Sequence, residues 1–522
     1  MYGDHPFGNP DGARADLSEI DNMFILETPY AVDFSIHPEV LLSKRVIVGA
    51  KGSGKTVYLR KMCSMLKDKE NNGTGIYVDD TIDQNLNCTE QIVRICEFYN
   101  ERVLSEKWTQ FWRIAIYVSL ACKFLNSQQL ITLLTNEQKD ELRKILHKHN
   151  LDFGICISVY KAFYAMTSIA DTKNKCDTLI DITGWLKLED ILTKVLRTSP
   201  TIYIFLDSID IEYEHAPMHW NICQKGLFYV VMDMLQDREF GERLHIIMGM
   251  RNNVFASVLR SEHGSKYLNE SHVFCLDWSF DNIKRFLVSK IQKLNECYFI
   301  DEELASEKKT IKAWLGIEKI YNPNRDIEED VLTYIVRHTR LVPRDVVIIC
   351  NKLAKAKRDS LTDANFDIQK FIHDSVFDEC ILFGDELITI CAKNIIANSL
   401  PENAGRYRYS DGFIASEPYR QGSYQKLKEV MKKFPSDRFT REDLKKVEES
   451  ANQIFGIESF LSDVLWQNGV IGYIDQEGFA RYFTQKAVVD QKLPTKANYI
   501  MRTCIAACLD LGNVHENPEN IK

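Results

Sequence analysis

Val46-Ile47-Val48-Gly49-Ala50-Lys51-Gly52-Ser53-Gly54-Lys55-Thr56 is the stretch whose reading decides the fold. Gly49, Gly54, Lys55 and Thr56 satisfy G-x-x-x-x-G-K-[ST], the phosphate-binding P-loop. The flanks agree with the letters. An apolar, β-branched run, Arg45 to Val48, is suited to a buried strand. Val57 to Leu66 follows with apolar residues at helical spacing. Strand, glycine loop and helix start together make an anion site, because glycines let backbone N–H groups turn toward phosphate oxygens and the helix dipole favours negative charge. The predicted cradle for ATP is Gly49, Ala50, Lys51, Gly52, Ser53, Gly54, Lys55, Thr56 and Val57. Lys55 is expected at the β- and γ-phosphates, and Thr56 at Mg²⁺.

Such a loop needs a carboxylate at the tip of a neighbouring strand. Thr201-Ile202-Tyr203-Ile204-Phe205-Leu206 is a buried-strand run that ends in Asp207-Ser208-Ile209-Asp210. Asp207 is the expected Mg²⁺-linked carboxylate, and Asp210 the candidate for positioning water. Ser208 stands where many related ATPases carry a glutamate, so Asp210 or Glu212 takes that role, or hydrolysis is slow. A third strand, Leu244 to Met250, leads into Arg251-Asn252-Asn253. Arg251 by charge, or either asparagine by hydrogen bonding, suits a group that reports the γ-phosphate.

The P-loop and the acidic strand end are about 150 residues apart. A helical insertion is therefore expected over about 90–197, with Trp108 and Trp112 on its apolar face as core packing. A chain of 522 residues exceeds one ordinary core. The expected organisation is a frayed N-terminal arm (1–20), an α/β P-loop NTPase core (21–276), a helical lid (277–395), a winged-helix domain (396–490) and a C-terminal tail (491–522). The winged helix is read from three helices followed by a hairpin over 469–483. In the lid, Pro343-Arg344-Asp345 opens a helix, and Arg344 is a candidate to reach back to the phosphates.

Net charge is −9, so the whole molecule is not an obvious nucleic-acid binder, and a local basic face stays open in the small cluster Arg438, Arg441, Lys445 and Lys446, which Glu442, Asp443, Glu448 and Glu449 interrupt. The 14 cysteines are scattered without a C-x-x-C pair, which reads as reduced thiols in a cytoplasm and no structural zinc site. The N-terminus lacks a signal-peptide core, and no apolar run approaches membrane-spanning length.

Gly52 to Thr56, Phe205 to Asp210, Arg251, Leu276 to Ser279, Pro343 to Asp345 and Gly469 to Ile474 occur in a set order. In that order the chain resembles bacterial P-loop ATPases of the STAND, KAP and origin-recognition-like groups. The resemblance covers roughly residues 30 to 480, and its P-loop is the most specific piece. It implies an ATP- and Mg²⁺-dependent regulatory ATPase in antiphage defence, acting as a homo-oligomer or with a separately encoded effector protein. Two further readings stay open: an initiator-like ATPase that engages DNA through its winged helix, and a binding protein with structural ATP.

Overall fold

Val46, Ile47 and Val48 set the first layer. In the computed structural model they form β1 (Val46–Gly49), buried along its whole length. The structure describes residues 5–15, 41–79, 88–207, 217–399 and 412–511, apart from 260, 262–263, 268–269, 324, 363–364, 457–458, 478–479, 484–492 and 496–497. Val46 and Val48 enter one apolar cluster and Ile47 another, the consequence of the strand's two-residue period. A helix, α1 (Lys55–Asn71), lays Leu59, Met62 and Leu66 over the Ile47 face. The other strands are β2 (Ile76–Val78), β3 (Thr201–Leu206), β4 (Leu244–Arg251) and β5 (Val273–Leu276). Their order is β2-β3-β4-β1-β5, and every pairing is parallel. The fold of this half is α/β, a parallel sheet flanked by helices.

Among the described residues, six α-helices stand between β2 and β3: α2 (Thr89–Phe98), α3 (Glu101–Asn126), α4 (Asn136–Lys148), α5 (Val159–Ile169), α6 (Lys173–Ile180) and α7 (Leu186–Leu196). With α8 (Pro217–Gln236) and α9 (Asn252–Leu259) they cover the second face of the sheet. Trp108 and Trp112 are fully buried there, and Trp112 stacks on Phe163 at 3.8 Å.

The second half runs through α10 (Phe280–Lys293), α11 (Glu302–Glu307), α12 (Ile311–Leu315), β6 (Lys319–Asn322), β7 (Ile327–Asp330), α13 (Val331–Arg337), α14 (Pro343–Leu353), α15 (Ala356–Thr362) and α16 (Ile368–Ser399). It continues with α17 (Gly412–Met431), β8 (Arg438–Phe439), α18 (Arg441–Phe455), α19 (Leu461–Gln467), β9 (Ile471–Ile474), β10 (Ala480–Tyr482), β11 (Asn498–Met501) and α20 (Thr503–Leu509). Ser279 caps α10 and Thr440 caps α18, the latter in a reciprocal capping box.

Four features differ from the expected organisation. Residues 498–509 are not a tail: β11 sits between β9 and β8 in a four-stranded sheet, and α20 packs on α16. Without β11 the hairpin strand β9 has an unpaired edge. One apolar cluster runs from Trp278 to Leu509, across the expected boundary at 395. The β6–β7 hairpin also interrupts what reads as an all-helical segment. Residues 5–15 are not frayed. Phe7 is fully buried, 4.7 Å from the Trp314 ring, and Asn351 binds the Phe7 N–H and the Gly8 carbonyl, each at 2.9 Å. Burial of that one phenyl ring is worth roughly 1.5–3 kcal/mol, enough to hold a short Gly- and Pro-rich segment. Among the described residues no helix is long and apolar enough to cross a membrane.

Candidate functional site at the ends of the parallel strands

The tips of β1, β3, β4 and β5 lie on one edge of the sheet, the edge where open α/β sheets receive ligands. Gly49 ends β1 and registers with Arg251 on one side and Leu276 on the other. A Cβ at Gly49 would stand 2.3 Å from Ser53 Oγ and 3.1 Å from its Cβ, so a larger residue here would push Ser53 out of its place in the loop. Gly52 and Gly54 take φ of +83° and +100°, which an L side chain strains to adopt. Gly54 then starts α1 with no side-chain cap and no acid in the first turn. By contrast the helices after Asn100, Thr135, Ser158 and Ser279 are capped by those side chains. The positive end of the α1 dipole is thus left for an external anion.

Lys55 is buried, and its Nζ donates to the carbonyls of Gly49 and Ala50 at 3.1 and 3.0 Å. Ser53 Oγ is buried with no hydrogen-bond partner among the described residues. Thr56 Oγ1 donates to Asp207 Oδ2 at 2.8 Å, across 151 positions of sequence. An ammonium, an orphaned hydroxyl, an uncapped helix start and a hydroxyl–carboxylate pair fit a phosphate chain with a hard cation. Thr56 and Asp207 would hold the cation, with water and phosphate completing its shell as Mg²⁺ prefers. No group of three or more His, Cys, Asp or Glu converges among the described residues.

Arg251 is buried at the tip of β4. Asn252 and Asn253 are turned to local use: their side chains accept from the N–H groups of Asn253 and Val254 at the start of α9. Asp210 and Glu212 lie outside the described residues. Arg344 does come to the loop: its N–H donates to the Gly52 carbonyl at 3.3 Å, and its Cβ lies 3.1 Å from where a Gly52 Cβ would stand. Its Nε donates to the Pro10 carbonyl at 3.0 Å. Asp345 is not its partner; Asp345 makes a two-pronged pair with Arg340.

Other residues at the site carry no sequence signal of their role. Tyr160, on α5, donates its hydroxyl to the Asp207 carbonyl. Trp278 Nε1 donates to the Ser53 carbonyl at 3.0 Å. Lys51 Nζ pairs with Glu386 Oε1 on α16 at 2.9 Å. The Lys123–Asp79 pair is buried at the end of β2. Trp278 stands within an ordered motif that marks its position but not its bond. A lone tyrosine or glutamate on a long helix gives no such mark. No protein-family model matches this chain, and no curated protein matches it significantly.

Proposed function

We propose that this chain is a Mg²⁺-dependent P-loop ATPase that works as a nucleotide-driven switch. The observation that carries this reading is the Thr56–Asp207 hydrogen bond, which brings the loop and the acidic strand end together as the pair that would hold the metal. A strand between β1 and β3 supports it too, since β4 brings Arg251 to the same edge. Lys55 would neutralise the β- and γ-phosphates, and the Gly52–Gly54 backbone would cradle them. When bound, Mg²⁺ supplies charge that polarises the terminal phosphoryl group. Arg251 would meet charge developing on that group, and Arg344 would bring the α14 side of the fold to it. Segment 277–395 is then the lid and 412–509 a winged-helix module.

The resemblance in sequence order extends the reading to bacterial antiviral defence, with oligomerisation or a separately encoded effector as the output. For the DNA-engaging alternative the local charge is mixed: Arg438 on β8 and Arg441, Lys445 and Lys446 on α18 stand among Glu442, Asp443, Glu448 and Glu449, and α19 carries Asp463 and no Lys or Arg.

The test is calorimetric titration of ATP with Mg²⁺. The unaltered chain is expected to bind, and Lys55→Ala to lose tight binding, because a triphosphate in a partly desolvated cradle needs that charge. Unchanged affinity in Lys55→Ala refutes the site.

A further inference from the structure

Three successive loop residues are each gripped from the second half of the fold. Lys51 is held by Glu386, Gly52 is packed under Arg344 and Val342, and the Ser53 carbonyl is held by Trp278. The Lys51 grip differs from the other two because it is a charge pair beside an anion cradle. Lys51 directly follows Gly49 and Ala50, whose carbonyls hold the Lys55 ammonium. Glu386 also accepts from Arg340 Nη1, and Arg340 is locked by Asp345, which is fully buried. Burial alone would push the Glu386 carboxyl up, but Arg340 and then Lys51 outweigh it and hold the group below the usual carboxylate range. Glu386 is therefore a fixed anion beside the loop.

We propose that Glu386 is a positioning residue for the phosphate cradle, an internal carboxylate that holds Lys51 and competes with the phosphates of ATP for it. This inference rests on the P-loop reading above. Phosphate entering the loop offers Lys51 a stronger anion, and Lys51 exchanges Glu386 for it. The exchange frees Glu386, on α16, from the loop, while Arg340 still holds it. The preceding residues tie the same helix to the C-terminal module. Asp385 accepts from Tyr424, from Lys428 at 3.0 Å and from Cys508 Sγ at 3.0 Å. A Cβ at Gly384 would stand 2.4 Å from the Cys504 carbonyl, so α20 lies directly on α16 there. Residues 384–386 thus join the loop to the C-terminal module through one turn of helix.

The competition has a sign that a damaged fold would not give: Glu386→Gln should tighten ATP binding. Both partners of the Lys51 pair are about one-third exposed, at 36% and 34%, so screening keeps the gain modest, about three- to fivefold in Kd. Arg340 keeps Asp345, so the substitution leaves no unpaired buried charge. ATP is titrated with Mg²⁺ into the unaltered chain, Glu386→Gln, Lys51→Met and the double variant. The gain should vanish in the Lys51→Met background, since Glu386 acts through Lys51. Unchanged or weaker binding in Glu386→Gln overturns the competition, as does an equal gain with Lys51 removed. No ATP binding by the unaltered chain overturns the P-loop reading and this inference with it.

Discussion

At the scale of single residues the proposed site turns on Asp207, which is engaged from the loop and from α5. Thr56 engages its carboxylate from the loop, and Tyr160 engages its backbone carbonyl from α5. The two substitutions should therefore separate in kind. Asp207→Ala removes the carboxylate proposed to hold Mg²⁺ and should abolish Mg²⁺-dependent ATP hydrolysis while leaving nucleotide affinity largely in place through Lys55 and the loop backbone. Tyr160→Phe keeps the carboxylate but frees the strand tip. A net hydrogen bond is worth about 0.5–1.5 kcal/mol, so hydrolysis should fall a few-fold, with a rise in the Mg²⁺ concentration needed for half-maximal rate. Steady-state turnover across a Mg²⁺ series checks both. Parent-like turnover in Asp207→Ala would remove the acidic strand end from the site.

At the scale of elements, legibility followed how local the cause was. β1, β3 and β4 are buried in a parallel sheet, so their sequences read as plain apolar runs. The starts of α10 and α18 were legible because Ser279 and Thr440 cap their own helices. The β6–β7 hairpin was not. Ile327-Glu328-Glu329-Asp330 lacks strand character, and what holds it is Glu329, buried against Arg337 at 2.8 Å and Asn322 at 2.7 Å. Those partners lie outside any local pattern. The same holds for the arm, whose composition says loop while Phe7 supplies a buried ring and Asn351 holds the backbone beside it. Beyond Phe7 the arm crosses to α1, where Arg60 donates to the Gly12 carbonyl at 2.7 Å and to the Ala15 carbonyl. Phe7→Ala should cost at most about 1.5–3 kcal/mol and act on the arm first. Hydrogen exchange should rise over residues 8–15 while α18 keeps its protection. A global loss of protection, or none at all, would contradict the strap-like docking.

At the scale of the whole molecule the question is whether ATP and ADP give different states. A ligand shifts such an equilibrium only through unequal contact with the two arrangements. Arg251 belongs to the sheet and Arg344 to the first turn of α14, and both lie at the loop. If each meets the terminal phosphate, ATP favours the closed arrangement over ADP. A charged hydrogen bond supplies roughly 1.5–3 kcal/mol, at least a tenfold change in population. The Arg344 guanidinium has a competing partner in the Pro10 carbonyl, so arm and nucleotide contend for it. Arg344→Ala keeps the Cβ that packs at Gly52 and removes the rest of the side chain, the guanidinium included. We expect ATP and ADP to give different protease protection over 277–395 in the parent chain, and the difference to disappear in Arg344→Ala without loss of thermal stability. Because α16 ties this region to α17 and α20 through Asp385, the same difference should extend into 412–509. Identical protection with ATP, ADP and no nucleotide would sink the switch and leave ATP as a structural ligand.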